Sequence, residues 1–227
     1  MQINLIIVRP TDTREGHMKG YYFITDTELS VAGAISDTAK ALSAGATIVQ
    51  YRQKSGSSAA QYAEALQLKN LCRNAMFLVN DRIDIALAVD ADGVHIGRDD
   101  LPLPVVRRLL KSEKVIGVTV RNLEEAVHAA KEGADYLGVG PIFATATKGD
   151  AGRPIGIDLL RQIREACKLP LVAIGGITIA NAREVIAVGA DMICAISAVV
   201  TAPDIEEAVW AFQNLFSTNE VDRKDKA

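Results

Sequence analysis

Short apolar runs alternate along the chain with longer stretches in which apolar residues recur about every three or four positions. Runs of the first kind predict buried β-strands, and stretches of the second kind predict amphipathic helices. Helical periodicity is clearest over residues 59–73, 123–131, 157–167 and 180–188. The predicted strands are 21–25, 47–52, 76–80, 92–96, 115–119, 135–139, 171–174 and 192–196.

A short repeat joins these elements. A helical stretch ends at Gly45, Gly133 or Gly189, an alanine follows, and an apolar strand begins; a weaker copy surrounds Gly93. Glycine supplies the left-handed conformation that commonly ends a helix, so each copy indicates one βα unit. Eight such units predict a single (β/α)₈ TIM barrel over residues 21–216, with an open doubly wound sheet as the alternative. A chain of 227 residues with 49% hydrophobic content can bury one core of that size.

The two ends of the chain differ from this pattern. Residues 1–20 are polar and turn-rich after a short apolar run, and they are predicted to form an N-terminal extension whose status the sequence leaves open. Met18 would itself serve as a first residue. Residues 217–227 are charged and lack apolar periodicity, so this C-terminal tail is expected to fray.

Composition narrows the class of protein. A net charge of −3, short basic runs and an aromatic content of 5% argue against a nucleic-acid-binding surface. No apolar stretch approaches the roughly 18 residues that span a bilayer, and no secretory signal is visible, so no membrane partner is expected. Cys72, Cys167 and Cys194 lack metal-ligand spacing, which predicts reduced packing thiols in a cytoplasmic protein. The oligomeric state stays open, a homo-oligomer included.

Gln50, Arg52 and Lys54 occupy alternate positions where the second predicted strand ends. Because strand side chains alternate between two faces, these three share the face of the core residue Ile48 if strand geometry persists. Polar groups buried without a partner are costly, so an anionic ligand at the mouth of a cavity is their expected partner. The alternative is that the two cations face solvent.

Two aspartates follow adjacent predicted strands. Asp81 comes after the third strand and Asp100 after the fourth, and carboxylates so placed can share Mg²⁺ while leaving positions for phosphate oxygens and water. Arg52, Lys54 and Lys148, facing that metal, would neutralise a diphosphate. The alternative for each aspartate is an ordinary helix cap.

The later strands predict a lid and a second anion site. Residues 140–150 form a longer loop than most βα connections, which suggests a lid after the sixth strand. Gly176 lies just after the seventh strand, and Ile196 and Ser197 lie at the end of the eighth, where backbone N–H groups often hold phosphate in barrels. An ordinary tight turn is the alternative for the glycine pair.

Five motifs in this order resemble the thiamine phosphate synthase family over 21–216. They are Gln50-Tyr51-Arg52-Gln53-Lys54, Val79-Asn80-Asp81, the run from His95 to Pro102, residues 138–143 with Thr145-Ala146-Thr147-Lys148, and Ile174-Gly175-Gly176-Ile177.

The resemblance implies a transferase with Mg²⁺ as cofactor and two small-molecule substrates. It would join 4-amino-5-hydroxymethyl-2-methylpyrimidine diphosphate to 4-methyl-5-(2-hydroxyethyl)thiazole phosphate, or its carboxylated form, and release thiamine monophosphate and pyrophosphate. By motif, the implied site residues are Gln50, Tyr51, Arg52, Gln53, Lys54, Asn80 and Lys148 for the diphosphate substrate, Thr119 near the pyrimidine, Asp81 and Asp100 for the metal, and Thr145, Ala146, Thr147, Gly176, Ile196 and Ser197 for the thiazole phosphate.

The resemblance also implies a dissociative reaction in which Arg52, Lys54 and Lys148 carry the catalysis by stabilising the leaving diphosphate. No general base is then required, and His95 is expected to be structural. Arg121 stands where the family often has histidine, which puts a role there in doubt. Two alternatives stay open: a thiazole tautomerase of the same fold, and a non-catalytic binding protein for thiamine precursors.

Overall fold

The computed structural model describes residues 18–145, 147 and 152–224, with side chains as far as residue 217. Its strands are β1 (Gly20–Ile24), β2 (Ile48–Tyr51), β3 (Met76–Asn80), β4 (Gly93–Ile96), β5 (Val115–Val120), β6 (Tyr136–Val139), β7 (Leu171–Ile174) and β8 (Met192–Cys194). All are parallel and pair in chain order, and β8 also pairs with β1 through Tyr21 and Ile193. That last pairing closes the sheet. The predicted barrel is confirmed, and the open sheet is excluded.

Helices alternate with the strands. They are α1 (Ala34–Ser43), α2 (Ser58–Leu71), α3 (Ile83–Ala88), α4 (Leu103–Leu110), α5 (Leu123–Glu132), α6 (Gly156–Ala166), α7 (Ile179–Ala187), α8 (Ile196–Val200) and α9 (Ile205–Lys224). Within the described residues, no helix is both long enough and apolar enough to cross a membrane.

The last helix returns to the first strand. The backbone N–H of Tyr21 donates to Oε1 of Gln213 at 2.7 Å, and the rings of Tyr21 and Phe212 stack at 5.3 Å. The helix continues to Lys224. The expectation that the chain frays from residue 217 stays a prediction. No glycine or proline interrupts α9, which explains why helix formation outlasts the apolar pattern.

The repeated glycines end helices as predicted. Gly45, Gly133 and Gly189 have φ values of 90°, 93° and 111°, a left-handed region that glycine adopts without a steric penalty. The weaker copy differs. There Asp90 is the left-handed residue, with φ 51°, while Gly93 is needed because an added Cβ would lie 1.9 Å from the carbonyl oxygen of Val115.

In two of the repeats an aspartate follows the alanine and connects neighbouring units. Asp135 Oδ2 accepts the backbone N–H of Ile116 at 2.7 Å and a guanidinium N–H of Arg107 at 2.5 Å. Asp191 makes the same pair of contacts with Leu171 and Arg164, at 2.8 Å and 2.9 Å. A carboxylate at the start of one strand therefore contacts the preceding strand of the barrel and the helix that leads into that preceding strand.

Two predicted segments lie outside the described residues. The N-terminal extension is one, as far as residue 17. The other is the middle of the predicted lid, which includes Ala146 and Lys148. The predictions for these segments and residues remain predictions.

Candidate active site

A cavity of about 430 Å³ opens at the carboxyl ends of the strands, where a barrel carries its chemistry. Most residues predicted to form the site lie around it. Those lining the cavity are Gln50, Arg52, Lys54, Asn80, Asp81, Asp100, Thr119, Thr145, Thr147, Gly176, Ile196 and Ser197. Strand-end position was therefore a sound guide to which residues meet.

Residues at the end of the second strand form a cationic wall of the cavity. Gln50, Arg52 and Lys54 all line the cavity, as strand alternation predicts. Arg52 is only 13% exposed and donates from Nη1 to Oδ2 of Asp26 at 3.1 Å, so the solvent-facing alternative is wrong for this residue. Lys54 is 52% exposed, and its Nζ lies 2.5 Å from Oδ2 of Asp81. The cationic wall thus consists of the Arg52 guanidinium, which Asp26 holds in place, and the Lys54 ammonium, which pairs with Asp81.

Two residues of the same motif do not line the cavity. Tyr51 points to the opposite face of the sheet, because it alternates with Gln50, and its hydroxyl donates to Oε2 of Glu64 on α2 at 2.7 Å. Gln53 uses its side-chain oxygen to accept from the Thr27 hydroxyl at 2.9 Å. The structure therefore does not bring the side chains of Tyr51 and Gln53 to the cavity, and their contacts with substrate stay predictions.

The two aspartates meet, and neither caps a helix. Asp81 has a left-handed φ of 62°, and its backbone N–H donates to the carbonyl of His95 at 2.9 Å. Strained backbone of this kind is frequent at functional sites. Asp100 accepts the backbone N–H of Gly97 at 2.7 Å. The caps of α3 and α4 are Arg82 and Pro102, so the helix-cap alternative is wrong.

The pair is electrostatically unequal. Burial raises the pKa of the Asp81 carboxyl, but its hydrogen bonds to Asp100 and Lys54 and the charge of Lys54 outweigh burial, so its pKa lies below the ordinary value. Burial, followed by the hydrogen bond to Asp81, raises the pKa of Asp100. Two carboxyl groups in hydrogen-bond contact resist simultaneous ionisation. A nearby cation would relieve that repulsion.

The far wall is built from glycines and the start of α8. Gly176 has a φ of 63°, and an added Cβ would lie 2.5 Å from the carbonyl oxygen of Ala144. The turn after β7 therefore closely approaches the loop after β6. The eighth strand ends at Cys194 rather than at residue 196 as predicted, and Ile196 begins α8. The first N–H groups of a helix have no partner within it.

Several lining residues were not among those predicted from the sequence to bind substrate or metal. Tyr22 and Tyr136 lie in the barrel interior, with hydroxyl oxygens 2.7 Å apart, and the side chain of His95 joins them. Arg98 and Arg121 also line the cavity, and a Cβ added to Gly152 would lie 3.1 Å from Nη1 of Arg121. The signal for the interior tyrosines was weak, because a strand tyrosine is usually a core residue.

Comparison with known proteins decides the family. The family model described as thiamine monophosphate synthase matches residues 21–199. The chain belongs to that family. A thiamine-phosphate synthase of Methanosarcina barkeri is 54% identical over 193 residues, which are 85% of this chain and 88% of that protein. One from Chloroflexus aurantiacus is 50% identical over 202 residues, covering 88% of this chain and 93% of that protein.

A solved structure agrees. The thiamine phosphate pyrophosphorylase of Pyrococcus furiosus superposes with a TM-score of 0.83 at 42% identity, covering 89% of this chain and 97% of that one. Both the predicted family and the predicted barrel are confirmed. The chain is therefore an enzyme of the transferase class with thiamine-phosphate synthase activity.

Proposed function

We propose that the chain joins 4-amino-5-hydroxymethyl-2-methylpyrimidine diphosphate to a hydroxyethylthiazole phosphate, giving thiamine monophosphate and pyrophosphate. The observation that supports this assignment is one cavity with two different walls, each suited to an anionic group. Arg52 and Lys54 stand beside a pair of carboxyl groups on one wall, and Gly176 and Ser197 line the other. A reaction between two phosphorylated molecules needs such a site.

The cationic wall suits a diphosphate that becomes more negative as it leaves. In the proposed reaction the bond from the pyrimidine methylene carbon to the diphosphate oxygen breaks, and its electron pair departs with pyrophosphate. The thiazole nitrogen then gives its lone pair to the methylene carbon. Arg52 and Lys54 would bind the leaving oxygens most strongly when their charge is greatest, which lowers the barrier rather than only tightening binding. No proton is transferred in these steps.

The carboxyl pair fits Mg²⁺. Asp81 and Asp100 offer hard oxygen ligands in mutual contact. The described residues contain no larger cluster, of three or more histidine, cysteine or acidic side chains, that could hold a metal. Mg²⁺ is commonly held by one or two carboxylates together with substrate phosphates and water. Bound there, the ion would neutralise part of the charge on the diphosphate. Lys54 shares the Asp81 carboxylate and would balance the same charge.

The opposite wall suits a phosphate monoester. Thr145 and Thr147 line it together with Gly176, Ile196 and Ser197. Hydroxyl and backbone N–H donors hold phosphate well without further positive charge. The thiazole would then lie between this wall and the pyrimidine, with its nitrogen toward the methylene carbon.

The experiment is an assay of pyrophosphate release with both substrates, with each omitted in turn, and with or without Mg²⁺. We expect release to require Mg²⁺ and thiamine monophosphate to form only when both substrates are present, and assays with the plain and carboxylated thiazole phosphates would show which is used. A tautomerase would instead convert a thiazole phosphate alone and release no pyrophosphate. Binding of both molecules without any product would leave only the binding-protein alternative.

A further inference from the structure

Five polar side chains form a continuous hydrogen-bonded chain across the floor of the cavity. Nε2 of Gln50 donates to the Tyr22 hydroxyl at 2.8 Å, and that oxygen lies 2.7 Å from the Tyr136 hydroxyl. The Tyr136 oxygen lies 2.9 Å from Nδ1 of His95, and Nε2 of His95 lies 2.8 Å from Oγ1 of Thr119. All five residues line the cavity. The chain therefore connects two groups at the cavity wall through three groups in the barrel interior.

The barrel makes room for this chain with two strand glycines. A Cβ added to Gly117 would lie 1.9 Å from Cζ of Tyr136, and one added to Gly138 would lie 2.9 Å from Cε1 of His95. Glycine inside a strand often marks such a close approach. Burial raises the pKa of both Tyr22 and Tyr136 far above neutral pH, so each hydroxyl keeps one proton to donate.

The direction of the chain follows from its first member. An amide nitrogen can only donate, so the Tyr22 oxygen accepts and passes its own proton to Tyr136. Tyr136 then donates to Nδ1 of His95, which leaves the ring proton on Nε2. That N–H donates to the Thr119 oxygen. Turning the Gln50 amide around would reverse every donor in the row.

We propose that Tyr22, Tyr136 and His95 are positioning residues that fix which way Gln50 and Thr119 present their hydrogen-bonding groups to the substrate. In the observed direction, Gln50 offers an acceptor and Thr119 a donor. Oε1 of Gln50 is buried and has no hydrogen-bond partner in the described part of the chain. The inference rests on the proposed function for its ligand: an aminopyrimidine has an amine that matches the acceptor and ring nitrogens that match the donor.

The direction also sets specificity. A pyrimidine with a carbonyl in place of the amine would place that acceptor against a second acceptor, Oε1 of Gln50, because the amide cannot turn without reversing the whole hydrogen-bonded chain. A site built to bond one polar group discriminates strongly against an analogue that leaves that group unpaired. Interrupting the hydrogen-bonded chain would leave the Gln50 amide free to turn. Discrimination between amino and oxo substrates should then fall.

The first test reads the direction without substrate. The full chain labelled with ¹⁵N-histidine contains three histidines, and a His95→Gln variant identifies the resonances of His95. We expect Nδ1 of His95 to accept a hydrogen bond and Nε2 to carry a proton. A proton on Nδ1, or on both nitrogens, would overturn the proposal. This measurement is independent of turnover, so it can succeed even where the proposed function fails.

The second test interrupts the hydrogen-bonded chain of side chains. For Tyr22→Phe and Tyr136→Phe, we expect the ratio of kcat/KM for the amino over the oxo pyrimidine diphosphate to fall at least about tenfold. The different intrinsic reactivities of the two substrates cancel when a variant is compared with wild type. In Tyr136→Phe, His95 should also lose its single tautomer. Two variants guard against one failing to fold.

Tyr51→Phe is the matched control, because it removes another buried tyrosine hydroxyl from β2 whose partner is Glu64, outside the cavity. It should lower the melting temperature without changing the substrate ratio or the His95 spectrum. If Tyr22→Phe and Tyr136→Phe behave like this control, the hydrogen-bonded chain is only structural and the proposal is wrong.

Discussion

The guanidinium of Arg52 donates a 3.1 Å hydrogen bond to Asp26, a carboxylate that is 3% exposed and follows the end of β1. The other oxygen of Asp26 accepts the backbone N–H groups of Glu28 and Leu29, each at 3.1 Å. Asp26 is not among the residues that line the cavity. It therefore acts on the site only through Arg52, whose guanidinium it holds in one orientation.

We predict that Asp26→Asn lowers kcat/KM for the pyrimidine diphosphate by about 10- to 100-fold. The asparagine oxygen can still accept both turn N–H groups, but its NH₂ cannot accept from Arg52. Hydrogen bonds to charged groups contribute about 1.5 to 3 kcal/mol, which sets that range. Steady-state kinetics would measure it, with kcat expected to fall as well as KM to rise.

Asp84→Asn is the control for this variant. It removes the carboxylate of an exposed ion pair with Arg82, at 2.6 Å and outside the cavity, so activity should stay near wild type. An Asp26→Asn enzyme with unchanged kcat/KM and a lower melting temperature would show that Asp26 merely stabilises its turn.

Local patterns in the sequence predicted the barrel and much of the cavity wall. Strand alternation alone identified Gln50, Arg52 and Lys54 as residues of one face, and the structure agrees. The same alternation turns Tyr51 outward, although the family motif had included it among the substrate contacts. Strand alternation and motif membership therefore differ for Tyr51, because a motif can also contain residues that serve the fold.

The supporting groups could not be predicted in this way. Asp26 and Arg52 are 26 positions apart, and Tyr22 and Tyr136 are 114 apart. Such pairs depend on strand register, which closure of the barrel sets and no local pattern contains. A signal did exist in Gly117 and Gly138, since glycine within an apolar strand indicates that something packs closely against it.

We predict that Asp81→Asn and Asp100→Asn each raise the Mg²⁺ concentration needed for half-maximal pyrophosphate release by at least about tenfold. Changes to groups that only support a metal ligand already cost about 10- to 100-fold in affinity. Titration of activity with Mg²⁺ would measure the shift, and circular dichroism should show an intact fold. Both variants matching wild type at limiting Mg²⁺ would remove these residues from the metal site.

Asp90→Asn is closely matched to Asp81→Asn. Both aspartates have a left-handed backbone, with φ 51° and 62°, and both pair with a lysine Nζ at 2.5 Å. Asparagine adopts that backbone readily, so neither change should distort it. Asp90 does not line the cavity, and the Mg²⁺ dependence of its variant should be that of wild type.

We predict that Gly176→Ala raises KM for the thiazole phosphate by about tenfold or more. Its Cβ would push on the carbonyl of Ala144, so the loop beside the phosphate wall must shift, and a small misplacement can cost about 100-fold in rate. Gly45→Ala is the control. It has φ 90° but nothing within 4 Å of the added Cβ, so it should lose only stability. Equal kinetic effects in both variants would show that backbone strain, not the phosphate wall, explains the loss.

We predict that the stabilising effect of the Cys72 thiol disappears in alkali. Cys72 is 2% exposed, and burial raises its pKa to about 12. The unfolded chain binds fewer protons than the folded chain above the ordinary thiol pKa of about 8.5 to 9, so the stability contribution is complete below that pH and declines toward pH 12. One pH unit within this window corresponds to about 1.4 kcal/mol.

Urea unfolding of wild type and Cys72→Ala at about pH 8 and about pH 10 would measure that decline. The variant lacks the titrating group, while every other titration is common to both chains and cancels in the difference. We expect the free energy of unfolding of wild type to fall, relative to the variant, by about 1.4 kcal/mol between the two pH values. A difference that does not change with pH would mean that the thiol reaches water in the folded protein. Rapid alkylation of native Cys72 at about pH 8 would point the same way, because the thiolate is the reactive form.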